Sequence, residues 1–282
     1  MSHQVHMLVR QHPVVGFFVL AFGISWAFWI PIALSSQGIL SFQMPFFLFV
    51  LAGYGPSLAG IIIAGLEKGR SGVGELLGRL LLWRVGIQWY AFVMFSTALV
   101  AVSVLLVYTL FGSKPAHINF LAQLGSLVSI LPILILLGGP MPEELGWRGF
   151  ALPKLLSKYN ALTSSMIVGV MWGLWHLPAF WIRGAGQHGQ PILWFMVGAP
   201  AVSILYTWVY VHTKGSLLIA VLYHTAFDST IYLALPAFPT AQAMSMAFML
   251  TVLLLWVMAL IVVLIFGPQH LSHPVQHKAD AA

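Results

Sequence analysis

Two adjacent glutamates, Glu143 and Glu144, follow a long apolar stretch and precede Arg148. The segment Pro142-Glu-Glu-Leu-Gly-Trp-Arg148 is typical of a helix start, because proline suits the first turn and glutamates complement the helix dipole there. Arg148 falls one helical turn after Glu144, which predicts an ion pair between them. Glu143 then points about 100° further round the helix and is free to face another group.

Two other apolar segments each carry a polar pair at single-turn spacing. Trp172 and His176 are four residues apart, as are His224 and Asp228, so each pair shares one face of a helix. A lone buried histidine, or a structural His–Asp hydrogen bond, would explain either pair alone. Ionisable groups inside a membrane cost roughly 2.5–3.5 kcal/mol and usually face the bundle interior. We therefore expect these pairs and the glutamates to converge on one site.

A site of this composition can activate water. A carboxylate and an imidazole suffice to deprotonate a water molecule, and a second histidine can donate a hydrogen bond to an oxyanion. Asp228 would hold His224 in its orientation. Two histidines and one glutamate with an open position are also a known zinc arrangement, so the residues leave a metal-free and a zinc-dependent reaction open. The chain has no cysteine, which excludes thiolate catalysis.

The elements that position these residues are predicted to be transmembrane helices. Of the 282 residues 60% are hydrophobic and only 6% are charged, whereas a soluble domain has about a quarter charged residues. Runs of about 20 apolar residues cross the hydrocarbon layer as helices. The sequence therefore predicts an all-α fold, a polytopic membrane helix bundle of about eight transmembrane helices. The predicted spans are 14–34, 44–66, 88–111, 119–139, 161–181, 192–211, 216–235 and 243–266.

The basic residues predict the orientation of the chain. With the N-terminus in the cytoplasm, every lysine and arginine except Lys114 and Arg183 lies on that side, in loops or tails. The positive-inside rule then predicts that both termini are cytoplasmic, and we expect the site to open towards the cytoplasm. Because the basic residues are spread over several loops, they predict no nucleic-acid partner.

The chain is expected to form one membrane domain with two short polar ends. The apolar stretch that starts at Val14 is too long for a signal peptide and is predicted to be the first helix. We predict a cytoplasmic N-terminal segment at 1–13, a single transmembrane helical domain at 14–266 and a polar C-terminal tail at 267–282.

Taken in order, three motifs resemble those of the CPBP family of intramembrane proteases, which includes CAAX proteases and bacteriocin-processing proteins and is also called the Abi family. The motifs are Glu143-Glu144-x-x-x-Arg148, Trp172-x-x-x-His176 and His224-x-x-x-Asp228. The segment Lys214–His224, which leads into the third motif, agrees as well. The resemblance covers residues 79–231, a CPBP-like core within the membrane domain.

The resemblance implies roles for these residues. Glu143 and His176 would activate the attacking water without a metal or other cofactor, and His224 with Asp228 would form the oxyanion site. Glu144, Arg148 and Trp172 would support them. Two positions depart from the family pattern, since Trp172 is often phenylalanine and Asp228 is often asparagine. An ionised Asp228 cannot donate a hydrogen bond to an oxyanion, so its expected role shifts towards holding His224.

The implied function is an intramembrane endopeptidase of the plasma membrane that cleaves a membrane-associated or lipidated, CAAX-like peptide. Its expected partners are membrane lipid and that substrate. One alternative is a non-catalytic bacteriocin-immunity or scaffolding protein with the same helices. Another is a transporter or proton-coupled channel, which would string polar residues across the bilayer. Here the polar residues gather on three helices instead.

Overall fold

A computed structural model describes residues 11–272, and in that range the chain forms helices and connecting turns without β-strands. The predicted all-α fold is confirmed. The predicted segment 1–13 and tail 267–282 lie largely outside the described residues. The α-helices are α1 (Pro13–Ser36), α2 (Phe46–Ala52), α3 (Gly55–Gly78), α4 (Ile87–Leu110), α5 (Phe120–Leu137), α6 (Pro140–Gly146), α7 (Leu152–Leu156), α8 (Ala161–Trp175), α9 (Ile192–His212), α10 (Leu217–Ala234) and α11 (Ala241–Phe266).

Seven helical spans in the described range are long and apolar enough to cross a membrane, which agrees with the predicted polytopic bundle. They are Pro13–Ser36, Phe46–Leu81, Ile87–Leu110, Phe120–Leu156, Ile192–His212, Leu217–Ala237 and Ala241–Phe266. The remaining predicted span, 161–181, is shorter than expected. Its helix α8 has 15 residues and gives way to a 3-10 turn at Leu177–Trp181. Pro178 explains this end, because proline disfavours helical backbone in the preceding residue and cannot donate a helix hydrogen bond.

Small residues let the helices around the site approach one another closely, as is usual between helices in membranes. A side-chain carbon added at Gly169 in α8 would lie 2.5 Å from Cα of Pro200 in α9. One added at Gly146 in α6 would lie 2.4 Å from the backbone oxygen of Pro56 in α3. Backbone contact between neighbouring helices therefore fixes the positions of α6 and α8.

The bundle has two ends that differ in charge. At the first, the loops 82–86 and 213–216 meet where Ser216 Oγ donates to the backbone oxygen of Leu82 at 2.6 Å. We call it the basic end, because it carries Lys68, Arg70, Arg79, Arg84, Lys154, Lys158 and Lys214.

At the opposite end, the backbone of Arg183 donates to Ser36 Oγ at 3.0 Å and that of Ala116 to the backbone oxygen of Ala237 at 3.0 Å. Lys114 and Arg183 are the basic residues of this opposite end among those described. One residue of the orientation argument has to be corrected, since Arg148 is fully buried and is not a loop charge. The charge asymmetry between the two ends does not depend on it.

Candidate functional site

Glu143 and Glu144 are carried by α6, a short helix in the interior of the bundle. The backbone between α5 and α6 turns at Gly139, which has a φ of 132° and starts α6 as its N-cap. This conformation favours glycine because it has no side-chain carbon to clash. Ser57 Oγ on α3 donates to the backbone oxygen of Pro142 at 2.6 Å, which links α6 to α3. Both glutamates are consequently buried among helices.

Glu143 faces α8, as its position round the helix predicts. The indole nitrogen of Trp172 donates a hydrogen bond to Oε2 of Glu143. The other carboxylate oxygen, Oε1, lies 3.7 Å from Nε2 of His176. The two carboxylate oxygens thus face Trp172 on α8 and His176 directly after it, and only 6% of Glu143 is exposed.

The ring of His176 is oriented by its own helix. Its Nδ1 lies 2.8 Å from the backbone oxygen of Trp172. Because a carbonyl oxygen can only accept a hydrogen bond, Nδ1 is the nitrogen that carries the proton. When the ring is neutral, Nε2 presents its lone pair towards Glu143. With a neutral ring, Oε1 and Nε2 are two acceptors 3.7 Å apart, so a water molecule beside them can reach either one and give up a proton.

Glu144 connects the first and third motifs. Its Oε1 accepts a hydrogen bond from Arg148 at 3.0 Å and lies 2.8 Å from Nδ1 of His224. Glu144 and Arg148 are fully buried. The predicted ion pair is therefore present, and its carboxylate also orients a histidine that lies 80 residues further along the chain.

Asp228 is more distant from His224 than the sequence indicated. Its Oδ2 lies 3.7 Å from Nε2 of His224, beyond hydrogen-bonding distance, and its side chain is 25% exposed. The sequence predicted that Asp228 orients His224. In the structure the hydrogen bond to the ring is made by Glu144, and Asp228 lies next to the ring without one.

The four residues predicted to be catalytic lie together. Trp172 is the common neighbour, because its ring centroid is 5.1 Å from that of His176 and 6.0 Å from that of His224. A side-chain carbon added at Gly139 would lie 2.9 Å from Oε1 of Glu143 and 3.8 Å from Nε2 of His224. The two halves of the site thus flank one point, next to the Gly139 backbone.

Tyr206, which completes the surroundings of the ion pair, was not predicted from the sequence. Its ring lies 4.6 Å from the guanidinium carbon of Arg148 and 6.0 Å from the ring of His224. Two nitrogens of Arg148, Nε and Nη2, are buried without a hydrogen-bond partner in the described part of the chain. The face of the Tyr206 ring offers this cation a partial substitute. Tyr206 is on α9, which carries none of the three motifs, so no spacing rule could have indicated it.

A cavity of about 470 Å³ lies beside the cluster. Glu143, His176, His224 and Asp228 form its polar part, and most other lining side chains are apolar or aromatic. The site can therefore receive a largely apolar ligand next to two imidazoles and two carboxylates. No three histidine, aspartate or glutamate side chains within residues 11–272 are grouped so that they could hold a metal ion.

Comparisons with known proteins agree with this arrangement of motifs. A family model described as type II CAAX prenyl endopeptidase Rce1-like matches residues 125–230, which contain all three motifs. A protein of Methanococcus maripaludis named CAAX prenyl protease 2 is 29% identical over 121 residues, which are 40% of this chain and 45% of that protein. The match thus spans less than half of this relative's length. The resemblance to the CPBP protease family is confirmed over the segment that carries the three motifs.

Proposed function

We propose that the chain is an intramembrane endopeptidase in which Glu143 and His176 activate a water molecule. The observation that carries the proposal is the 3.7 Å approach of Glu143 Oε1 to His176 Nε2 at the wall of an apolar cavity. The family match and the name of the relative from Methanococcus maripaludis support a peptide substrate.

In the proposed reaction, Glu143 takes a proton from water while the oxygen attacks the carbonyl carbon of the scissile peptide bond. The carbonyl π electrons move to oxygen and form an oxyanion. The oxyanion electrons then re-form the carbonyl as the C–N bond breaks, Glu143 returns the proton to the leaving nitrogen, and an acid and an amine are released. The indole of Trp172 holds the Glu143 carboxylate in place throughout.

His224 is proposed to stabilise the oxyanion. Its Nδ1 is engaged with Glu144, so Nε2 is the nitrogen directed towards the cavity. When the ring is doubly protonated, Nε2–H can donate to the oxyanion while Nδ1–H donates to Glu144. This gives Glu144 and Arg148 a supporting role. Asp228 adds a negative charge 3.7 Å from Nε2.

We propose a metal-free reaction. A zinc-dependent version would place one ion within about 2.0–2.2 Å of Glu143, His176 and a third donor. The described side chains are not grouped in this way. Metal analysis of the purified protein, together with activity after chelation, separates the two versions, because zinc-dependent cleavage would be lost with the metal.

We further propose that the protein is a multi-pass plasma-membrane protein with both termini in the cytoplasm, since the described basic residues concentrate at one end of the bundle. Its substrate is a membrane-associated or lipidated, CAAX-like peptide. A non-catalytic immunity or scaffolding protein is the alternative. It would have no need for a carboxylate and an imidazole facing each other at a cavity.

The test is cleavage of a peptide library in liposomes by the wild type, Glu143→Gln and His176→Ala. We expect products from the wild type only. Equal cleavage by all three proteins would remove the catalytic assignment. If none of the folded proteins produced any cleavage, the non-catalytic alternative would be favoured.

A further inference from the structure

Arg79 joins two segments that contact Arg148. It starts a 3-10 turn at the basic end and is partly buried, without lining the cavity of the site. Its Nη1 donates to the backbone oxygen of Gly149 at 2.9 Å and to the hydroxyl oxygen of Tyr210 at 3.0 Å. Gly149 follows Arg148 directly, and Tyr210 is one turn beyond Tyr206 on α9. A single nitrogen atom therefore links the backbone next to Arg148 to the helix whose Tyr206 ring packs against it.

The backbone oxygen of Gly149 lacks the donor that an α-helix would provide. That donor would be the amide four residues later, but this residue is Pro153, which has no N–H and whose ring crowds the same oxygen. The chain forms a π-helical turn at Trp147–Ala151 instead, a widening of the helix that is frequent at functional sites. Because the amide is missing, the oxygen is available to the guanidinium of Arg79.

A continuous set of contacts leads from this turn to His224. Arg148 donates to Oε1 of Glu144 at 3.0 Å, and the same oxygen lies 2.8 Å from Nδ1 of His224. The ring of Tyr206 lies 4.6 Å from the guanidinium carbon of Arg148. Two nitrogens of Arg148 have no hydrogen-bond partner among the described residues. The position of this side chain therefore depends on the segments around it, which Arg79 links to each other.

The chain that follows Arg79 is attached to α10 as well. Ser216 Oγ donates to the backbone oxygen of Leu82 at 2.6 Å. Ser216 is the N-cap of α10, the helix that carries His224. Residues 79–82 are thus bonded both to the turn that carries Arg148 and to the start of the helix that carries His224, so a displacement of these residues would disturb the two sides of the site together.

We propose that Arg79 is a positioning residue that acts on His224 through Arg148 and Glu144, a role that rests on the proposed function of His224 as the oxyanion donor. Arg79 does not line the cavity, so it has no contact with substrate there. It precedes residue 125, where the match to the family model begins, and none of the three motifs contains it. Its two hydrogen bonds fix the π-helical turn against α9, and with it the ion pair that orients the histidine.

Kinetics of folded variants distinguish positioning from substrate binding. Arg79→Met removes both hydrogen bonds, and Arg70→Met makes the same chemical change at an exposed position of the basic end. We expect kcat of Arg79→Met to fall about 10- to 100-fold, as small displacements of catalytic groups cause. KM should stay at the wild-type value, because Arg79 does not line the cavity, and Arg70→Met should match the wild type. Wild-type kcat in Arg79→Met, or a change confined to KM, would overturn the proposed role.

Two further variants test the route through which Arg79 acts. Tyr210→Phe removes one of the two acceptors and keeps the aromatic ring, so we expect kcat to fall by a smaller factor than in Arg79→Met. In a Glu144→Gln background the contacts are already interrupted, and Arg79→Met should cause little further loss of kcat. An equal loss with and without Glu144→Gln would show that Arg79 does not act through Glu144. If Arg79→Met does not fold, wild-type kcat in folded Tyr210→Phe would equally contradict the role.

The ring of His224 can be observed without any cleavage, by nuclear magnetic resonance of protein with isotope-labelled histidine nitrogens in detergent micelles. The proton on Nδ1 that is shared with Glu144 is identified by its loss in His224→Gln. We expect its resonance to move in Arg79→Met and Tyr210→Phe and to stay in place in Arg70→Met. An unmoved resonance in both folded variants would overturn the proposed role. If the wild type cleaves nothing, the peptidase function fails, and this resonance still decides whether Arg79 positions His224.

Discussion

Arg148→Met tests the buried ion pair that supports the site. The substitution keeps an apolar side chain of similar length but leaves Glu144, which is fully buried, without its cation. Removing one partner of a buried pair typically costs about 3–5 kcal/mol, because the remaining charge has lost both water and its counter-ion. Loss of the contact with the Tyr206 ring adds about 0.5–2 kcal/mol. We expect Arg148→Met to lower the free energy of unfolding by at least about 3 kcal/mol.

The chain provides a matched control in the pair formed by Lys68 and Glu75. The charged atoms of this pair are 2.7 Å apart, but both side chains are 56% exposed. Solvated pairs of this kind contribute little, so Lys68→Met is expected to leave the unfolding midpoint unchanged. The contrast between the two variants isolates burial as the cause, since both replace a cation by methionine.

The assay is reversible unfolding in mixed detergent micelles, by titration with sodium dodecyl sulfate and circular dichroism. The double variant Glu144→Gln, Arg148→Met removes both charges, so its loss of stability should be smaller than the sum of the two single losses. A loss of stability in Arg148→Met as small as that in Lys68→Met would contradict this expectation. Strict additivity in the double variant would also contradict it, because the two charges would then be independent.

Three further predictions concern activity. Trp172→Phe keeps an aromatic ring but removes the donor to Glu143. Because a hydrogen bond to a charged group is worth about 1.5–3 kcal/mol, kcat should fall about tenfold or more. An unchanged kcat would exclude a positioning role for Trp172. Gly139→Ala would place a side-chain carbon at a backbone φ of 132° and 2.9 Å from Oε1 of Glu143. Thermal unfolding should therefore show that the free energy of unfolding falls by about 1–3 kcal/mol, and cleavage should be reduced. Wild-type stability would show that alanine causes no strain at this position. Asp228→Asn should retain most of kcat/KM, whereas Glu144→Gln should lose most of it, because Glu144 is hydrogen-bonded to His224. The reverse order would indicate that Asp228 orients His224.

Local spacing predicted much of the site. The ion pair between Glu144 and Arg148 and the shared face of Trp172 and His176 follow from helix geometry, which acts within one turn. The direction of Glu143 follows from the same geometry. These features were predictable because each depends on residues at most five positions apart.

Contacts between helices were not predictable in this way. The hydrogen bond from His224 to Glu144 joins residues 80 positions apart and depends on how α6 packs against α10. Asp228 was the only carboxylate at helical spacing from His224, so the hydrogen bond that Glu144 makes was predicted for Asp228. The contact of the Tyr206 ring with Arg148 depends on the packing of α9, and the spacing of the motifs does not indicate it.

Hydrophobic runs predicted the bundle but not all of its boundaries. Spans such as 192–211 and 216–235 agree closely with α9 and α10, because long apolar runs leave little choice of structure. The run at 161–181 remains apolar beyond the end of α8, and Pro178 shortened the helix within it. Arg148 was predicted to lie in a cytoplasmic loop, because composition does not distinguish a loop arginine from one that is buried in an ion pair.

The central claim is that Glu143 acts as the general base, and the most direct measurement is kcat of Glu143→Gln on a peptide that the wild type cleaves. Glu75→Gln serves as the control, because it makes the same chemical change at an exposed position. General base catalysis contributes about 10²–10⁴-fold. We expect Glu143→Gln to lose at least about 100-fold in kcat while it stays folded, and Glu75→Gln to match the wild type. Cleavage by folded Glu143→Gln at the wild-type rate would contradict the claim.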